Sequence, residues 1–190
     1  MLVAVKKWGF GTARSGTARP ASERMRKLAR SLDALARVDD GHLRRAREIT
    51  ALRREAAREL HAICADFVRD LNELLSEIVL EFEPQEFGPD SFQEERLNLF
   101  QINARGRILQ IGFEATPELI STEDFRVPYI MSGEIRCFNQ QLLERDLIEE
   151  QLLFYTMEKA RHFWRYFDAR TYRSGPVDGD YLAGLLEQLT

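Results

Sequence analysis

Apolar positions in the first half of the chain recur at threes and fours. Leu28, Leu32 and Leu35 open the pattern, and Ala46, Ile49, Ala56, Leu60, Ile63, Phe67, Leu71, Leu74 and Ile78 carry it from Leu43 to about Leu80. Such spacing lays one stripe along one face of a helix. Ser22 is a suitable N-cap for the first segment. Asp39-Asp40-Gly41 reads as a break, with Gly41 ending one helix and an Asp capping the next. The second helix contains no Gly or Pro. At 1.5 Å per residue it runs over about 50 Å, longer than a compact domain of this size needs. Its stripe requires a cover. A second copy of the helix supplies one, and the 22–38 helix folded back as a hairpin supplies another.

The pattern then changes. EFEPQEFGPDSFQEE, residues 81–95, is an acidic loop with two prolines. Leu97–Asn103 and Arg107–Ala115 flank Ala104-Arg105-Gly106, which predicts a β-hairpin. Thr116-Pro117-Glu118 resembles a cap followed by Pro at the first helical position, and predicts one short helical turn. Val127, Tyr129, Met131, Gly133, Ile135 and Cys137 hold one parity against Ser132, Glu134 and Arg136. That alternation predicts a strand with one dry face. Gly133 in its middle implies a bend or the close approach of another backbone.

From Gln140 to Ser174 there is no Gly or Pro, and Leu153, Met157, Ala160, Trp164 and Phe167 step by four and three. We read a long helix there, ended by Gly175-Pro176. The aromatics of His162–Asp168 suit a strand as well, but no breaker separates them from the preceding segment. Asp178 or Asp180 caps a last short helix, Tyr181–Leu189. The predicted class is α+β: a long N-terminal helix or helical hairpin, a three-stranded antiparallel meander, a long C-terminal helix and a short terminal one. Residues 1–20 form a flexible basic arm, 21–82 a helical region, and 83–190 an α+β domain packed on the long helix.

Charge refines this outline. The chain has 190 residues and a net charge of −4. Residues 1–60 carry 15 Lys/Arg and 7 Asp/Glu, whereas 61–190 carry 12 and 24. A basic front and an acidic back attract one another, within a chain or between copies. Cys64 and Cys137 do not make a disulfide framework, so a reducing, cytoplasmic compartment is expected. No apolar run approaches the roughly 20 residues of a bilayer span, so no membrane partner is expected. Residues 1–22 are acid-free and resemble a transit peptide or a disordered arm. Patterned sequence begins near Met25, which leaves open whether residues 1–24 belong to the mature protein. Arg14, Arg19, Arg24, Arg26, Lys27 and Arg30, with Trp8 and Phe10, offer nucleic acid a contact through residues 1–30. The acidic sequence pI of about 5.5 weighs against that use.

The candidate chemistry is sparse. RHFWRYFDARTYRSG, residues 161–175, holds five aromatics and four arginines. Arg161 and Arg165, with Arg136, would suit a phosphate or carboxylate ligand. On a helix the spacing of His162 and Asp168 separates them, against a dyad. His61 and Cys64 are one helical turn apart and with Cys137 and His162 would complete a Cys₂His₂ set. Only one short spacing exists, so neither metal nor cofactor is expected; Cys64 reads as a small buried hydrophobe and Cys137 as part of the dry strand face. Asp66, Asp70, Glu73 and Glu77 form an acidic stripe on the long helix. Phosphate-loop, G-x-S-x-G and HExxH motifs are absent. The expected function is therefore a self-associating protein-interaction module, an adaptor, scaffold or chaperone-like part. Its surface is Leu60, Ile63, Phe67 and Leu71, and its partners are a second copy and another protein. The alternative is a sensor or enzyme with an Arg-lined pocket.

Overall fold

A computed structural model describes residues 22–122, 125–139, 149–158 and 161–189. The predicted arm at 1–20 and the opening of the predicted C-terminal helix, 140–148, lie outside the described residues. The chain divides into two compact units, Met1–Arg44 and Arg45–Thr190.

In the first unit the described residues begin helix α1, Glu23–Leu74. Ser22 caps it: its Oγ accepts from the Met25 N–H at 3.3 Å. Every described residue of this unit is exposed. The predicted break at Asp39-Asp40-Gly41 does not exist, and with it goes the fold-back hairpin. A glycine inside a helix costs only about 1 kcal/mol relative to Ala, too little to stop a helix with good formers on both sides. α1 ends at Leu74, short of Leu80. The Asn72 side chain turns the chain back, accepting from Leu80 N–H at 2.7 Å and donating to Leu80 O at 3.0 Å.

In the second unit the described strands form one seven-stranded sheet, each paired antiparallel with the next. They are β1 Glu81–Glu83, β2 Asn98–Ala104, β3 Arg107–Ile120, β4 Tyr129–Phe138, β5 Glu149–Glu158, β6 Arg161–Asp168 and β7 Arg173–Pro176. Helix α2, Gly179–Glu187, follows, with Asp178 accepting from the Tyr181 N–H at 2.9 Å as its N-cap. Among the described residues, the predicted three-stranded meander and long C-terminal helix are thus corrected to seven strands and a short C-terminal helix.

The β2–β3 hairpin closes as its residues require. Arg105 and Gly106 take φ of 53° and 84°, the positive pair that a two-residue turn needs. β3 runs through Thr116-Pro117 instead of starting a helix there. The β3–β4 register shifts between Ala115 and Ile120, an irregularity that tolerates the missing N–H of Pro117. A second shift separates Tyr129 from Met131 in the β4–β5 pairing. It turns Tyr129 to the face opposite Met131, against the single parity expected. Gly133 is required by contact: a Cβ there would sit 2.1 Å from Gly112 O and 2.9 Å from Phe113 Cα.

β5 and β6 replace the predicted helix. Their register pairs Leu153 with Tyr166, Tyr155 with Trp164 and Met157 with His162. Both faces of this hairpin are apolar, which hid the two-residue period. Leu153, Tyr155 and Trp164 join the main core with Ala56, Leu60, Cys64 and Val68 of α1 and Leu182 and Leu185 of α2. On the other face Phe154 and Phe167 pack with Phe125 and Tyr129 in a separate cluster.

Two polar ties fasten α1 to the sheet. Trp164 Nε1 donates to Ala56 O at 2.7 Å. Arg53, buried in the helix, donates from Nε to Ile130 O at 3.3 Å, from Nη1 to Glu94 at 2.5 Å, and from Nη2 to Thr116 O. Its two carbonyl partners lie at the two register shifts. Arg53→Met keeps most of the stem and removes every donor. Urea unfolding is expected to show a loss of about 3 kcal/mol for it, and about 1 kcal/mol for Glu94→Gln, which still accepts from Arg53.

Candidate functional site

β7 pairs with β6 only from Arg165 to Asp168, and Val177 N–H then bonds Trp164 O at 2.9 Å. A cleft of about 840 Å³ opens beside the uncovered end of β6, lined by Glu59, Arg161, His162, Phe163, Arg165 and Ser174 among others. Strand alternation puts His162 on the α1 side, with Trp164. Arg161 and Arg165 lie on the opposite face.

The α1 side of the cleft holds a polar cluster. Glu59 and Tyr155 share a hydrogen bond, and the His162 ring lies 6.5 Å from that of Tyr155. Burial raises the Glu59 carboxyl above the usual carboxylate range; the Tyr155 hydroxyl opposes this, the Glu55 charge adds to it, and His162 opposes it. Burial, followed by the Glu59 charge, also raises the Tyr155 phenol. Chemically, the cluster is a carboxyl that takes up a proton more readily than usual, beside a phenol held neutral. Neither Glu59 nor Tyr155 stood out in the sequence. Their partnership joins positions 96 residues apart, and no local spacing signals it.

On the outer face Arg165 is already engaged. Nη2 donates to Glu158 at 2.8 Å, Nη1 reaches Ser174 Oγ at 3.5 Å, and the guanidinium lies 5.0 Å from the Phe163 ring centre. Arg136 is elsewhere, held by Glu134 at 2.6 Å and Glu150 at 3.2 Å. Two strands and about 13 Å of strand length separate its row from that of Arg165. The structure therefore brings Arg161 and Arg165 to one cleft and leaves Arg136 out. The expected three-arginine anion pocket is not assembled.

The metal set is dispersed as well. His61 Nε2 lies 2.9 Å from Pro84 O, and its ring packs against Phe82, Phe87 and Phe100. Cys64 is fully buried, and burial pushes its thiol up to about 12. Cys137 is buried, and His162 faces Glu59. Among the described residues no group of three His, Cys, Asp or Glu is arranged to hold a metal. Asp168 binds the following turn, accepting from Arg170 N–H at 2.9 Å and Thr171 Oγ1 at 2.8 Å, so it forms no dyad with His162.

The expected interaction surface divides. Leu60 is wholly inside the core. Ile63, Phe67 and Leu71, with Leu74 and Ala183, instead line a groove of about 470 Å³ between the end of α1 and the start of α2. Large apolar side chains left in water lie further toward the N-terminus: Met25, Leu28, Leu32, Leu35, Val38 and Leu43, each 55–63% exposed. No helix among the described residues is long and apolar enough to cross a membrane. Comparison with protein-family models, with curated proteins and with solved structures gives no significant match.

A carboxyl whose pKa is raised by folding favours the folded chain at low pH and loses that advantage as pH rises through the raised value. Glutamine at position 59 keeps an acceptor for Tyr155 and cannot ionise. The difference in Tm between Glu59→Gln and the unaltered chain is expected to grow more positive from about pH 4 to about pH 8. A difference that does not vary with pH would show that Glu59 titrates normally.

Proposed function

We propose that this chain is a self-associating protein-interaction module whose contact surface is the N-terminal part of α1. One observation carries the reading: six large apolar side chains recur at helical spacing from Met25 to Leu43 and remain more than half exposed. Covering each gains about 1 kcal/mol, hence about 12 kcal/mol for twelve from two copies. Association costs about 4–15 kcal/mol in lost freedom. The stripe is therefore of a size to support reversible assembly. The core stripe of α1, Ala56 to Val68, is covered by the chain's own sheet, so the surface proposed from sequence, Leu60 in particular, is replaced by this one. Two buried free thiols, Cys64 and Cys137, support a reducing compartment, the cytoplasm.

Sedimentation analysis is expected to find an oligomer for the full chain and a monomer for Leu32→Glu with Leu35→Glu. Both substitutions lie at exposed positions, so circular dichroism should be unchanged. An oligomer that survives the double substitution, or a monomeric unaltered chain, would overturn the reading.

A further inference from the structure

The structure points to a receptor for the first part of that stripe, an inference that rests on the self-association just described: we infer that Met25–Leu35 of a second copy docks in the groove between the end of α1 and the start of α2. Three observations on the two surfaces support it.

The first is shape. Ile63 to Leu74 covers about 16 Å of helix, and Met25 to Leu35 covers about 15 Å. The floor of the groove is apolar: Phe67 is buried at its base, Ile63 and Leu71 are partly covered, and Leu74 is 82% exposed. A row of helical anchors at threes and fours is the usual occupant of such a groove.

The second is charge at the rim. Asp66, Asp70, Asp178 and Asp180 border the groove. Arg69 already bonds Asp66 at 2.6 Å and Asp70 at 2.9 Å, and Asp178 caps α2. Those contacts leave the rim net negative. On the α1 wheel Arg24 lies beside the stripe and Lys27 further out on the same flank, so both reach toward one rim.

The third is charge at the scale of the units. Residues 1–44 carry ten Lys/Arg and four Asp/Glu, and 45–190 carry 17 and 27, so the units bear net charges of +6 and −10. The basic unit of one copy is drawn to the acidic unit of another, and the drawing weakens with salt.

The test is a charge swap read by sedimentation at low and moderate salt. Asp66→Lys with Asp70→Lys reverses the groove; Arg24→Glu with Lys27→Glu reverses the helix. All four positions are exposed, and thermal unfolding checks that each variant folds. Each variant alone is expected to shift to monomer, with at least a tenfold weaker self-association. Mixed in equal amounts, they are expected to recover a complex, because both cross-contacts are then complementary. If reversing the groove leaves the oligomer intact while Leu32→Glu with Leu35→Glu still breaks it, the groove is not the receptor and self-association stands. If both variants are monomeric and mixing restores nothing, the inference also fails. If the unaltered chain is a monomer, the inference falls together with the reading beneath it.

Discussion

One buried guanidinium joins three parts of the second unit. Arg53 sits on the face of α1 that meets the sheet, where a hydrocarbon side chain would be the default. It serves there because the sheet is irregular at two points. The β3 and β4 register shifts present Thr116 O and Ile130 O toward the helix, and one side chain with several fixed donors satisfies both while holding Glu94. Lysine could not span that fork. The geometry of the guanidinium therefore makes the strand irregularities compatible with a helix packed on the sheet, and that helix contributes Ala56, Ala57, Leu60, Cys64, Phe67 and Val68 to the core.

What sequence patterning reveals depends on whether an element has one dry face. α1 was legible because a single stripe recurs along it. The β2–β3 hairpin was legible because Arg105-Gly106 can adopt positive φ, and Gly133 because a side chain has no room beside Gly112. β5 and β6 were misread because Leu153 and Trp164 serve one core while Phe154 and Phe167 serve another. Apolar residues on both faces of a strand erase the period of two, and what remains looks like a helical step. Asp39-Asp40-Gly41 misled for a different reason. Capping residues state a local preference of about a kilocalorie per mole, and a long helix overrides it.

The site suffered the same limitation more severely. Glu59, Tyr155 and His162 come from a helix and two strands, and only the three-dimensional arrangement makes them neighbours. The arginines that drew notice in sequence are mostly held by nearby carboxylates: Arg165 by Glu158, and Arg136 by Glu134 and Glu150. Clustering in sequence marked a seam of exposed strand residues, and the cleft beside it owes its acid–base character to residues on the other side of the sheet.

The tie between Trp164 Nε1 and Ala56 O spans 108 residues. Synthesis proceeds from the N-terminus, at about 5–20 residues per second. The helix is therefore complete well before the strand that closes over it has left the ribosome, a delay of roughly 5–20 s. Through that interval Ala56, Leu60, Cys64 and Val68 have no sheet to cover them. The nascent chain thus carries two uncovered apolar stretches in series, of which the later strands can bury only one. Until the sheet is complete, that part of the helix is exposed to non-specific hydrophobic contact, the ordinary hazard of a core whose two halves lie far apart in sequence.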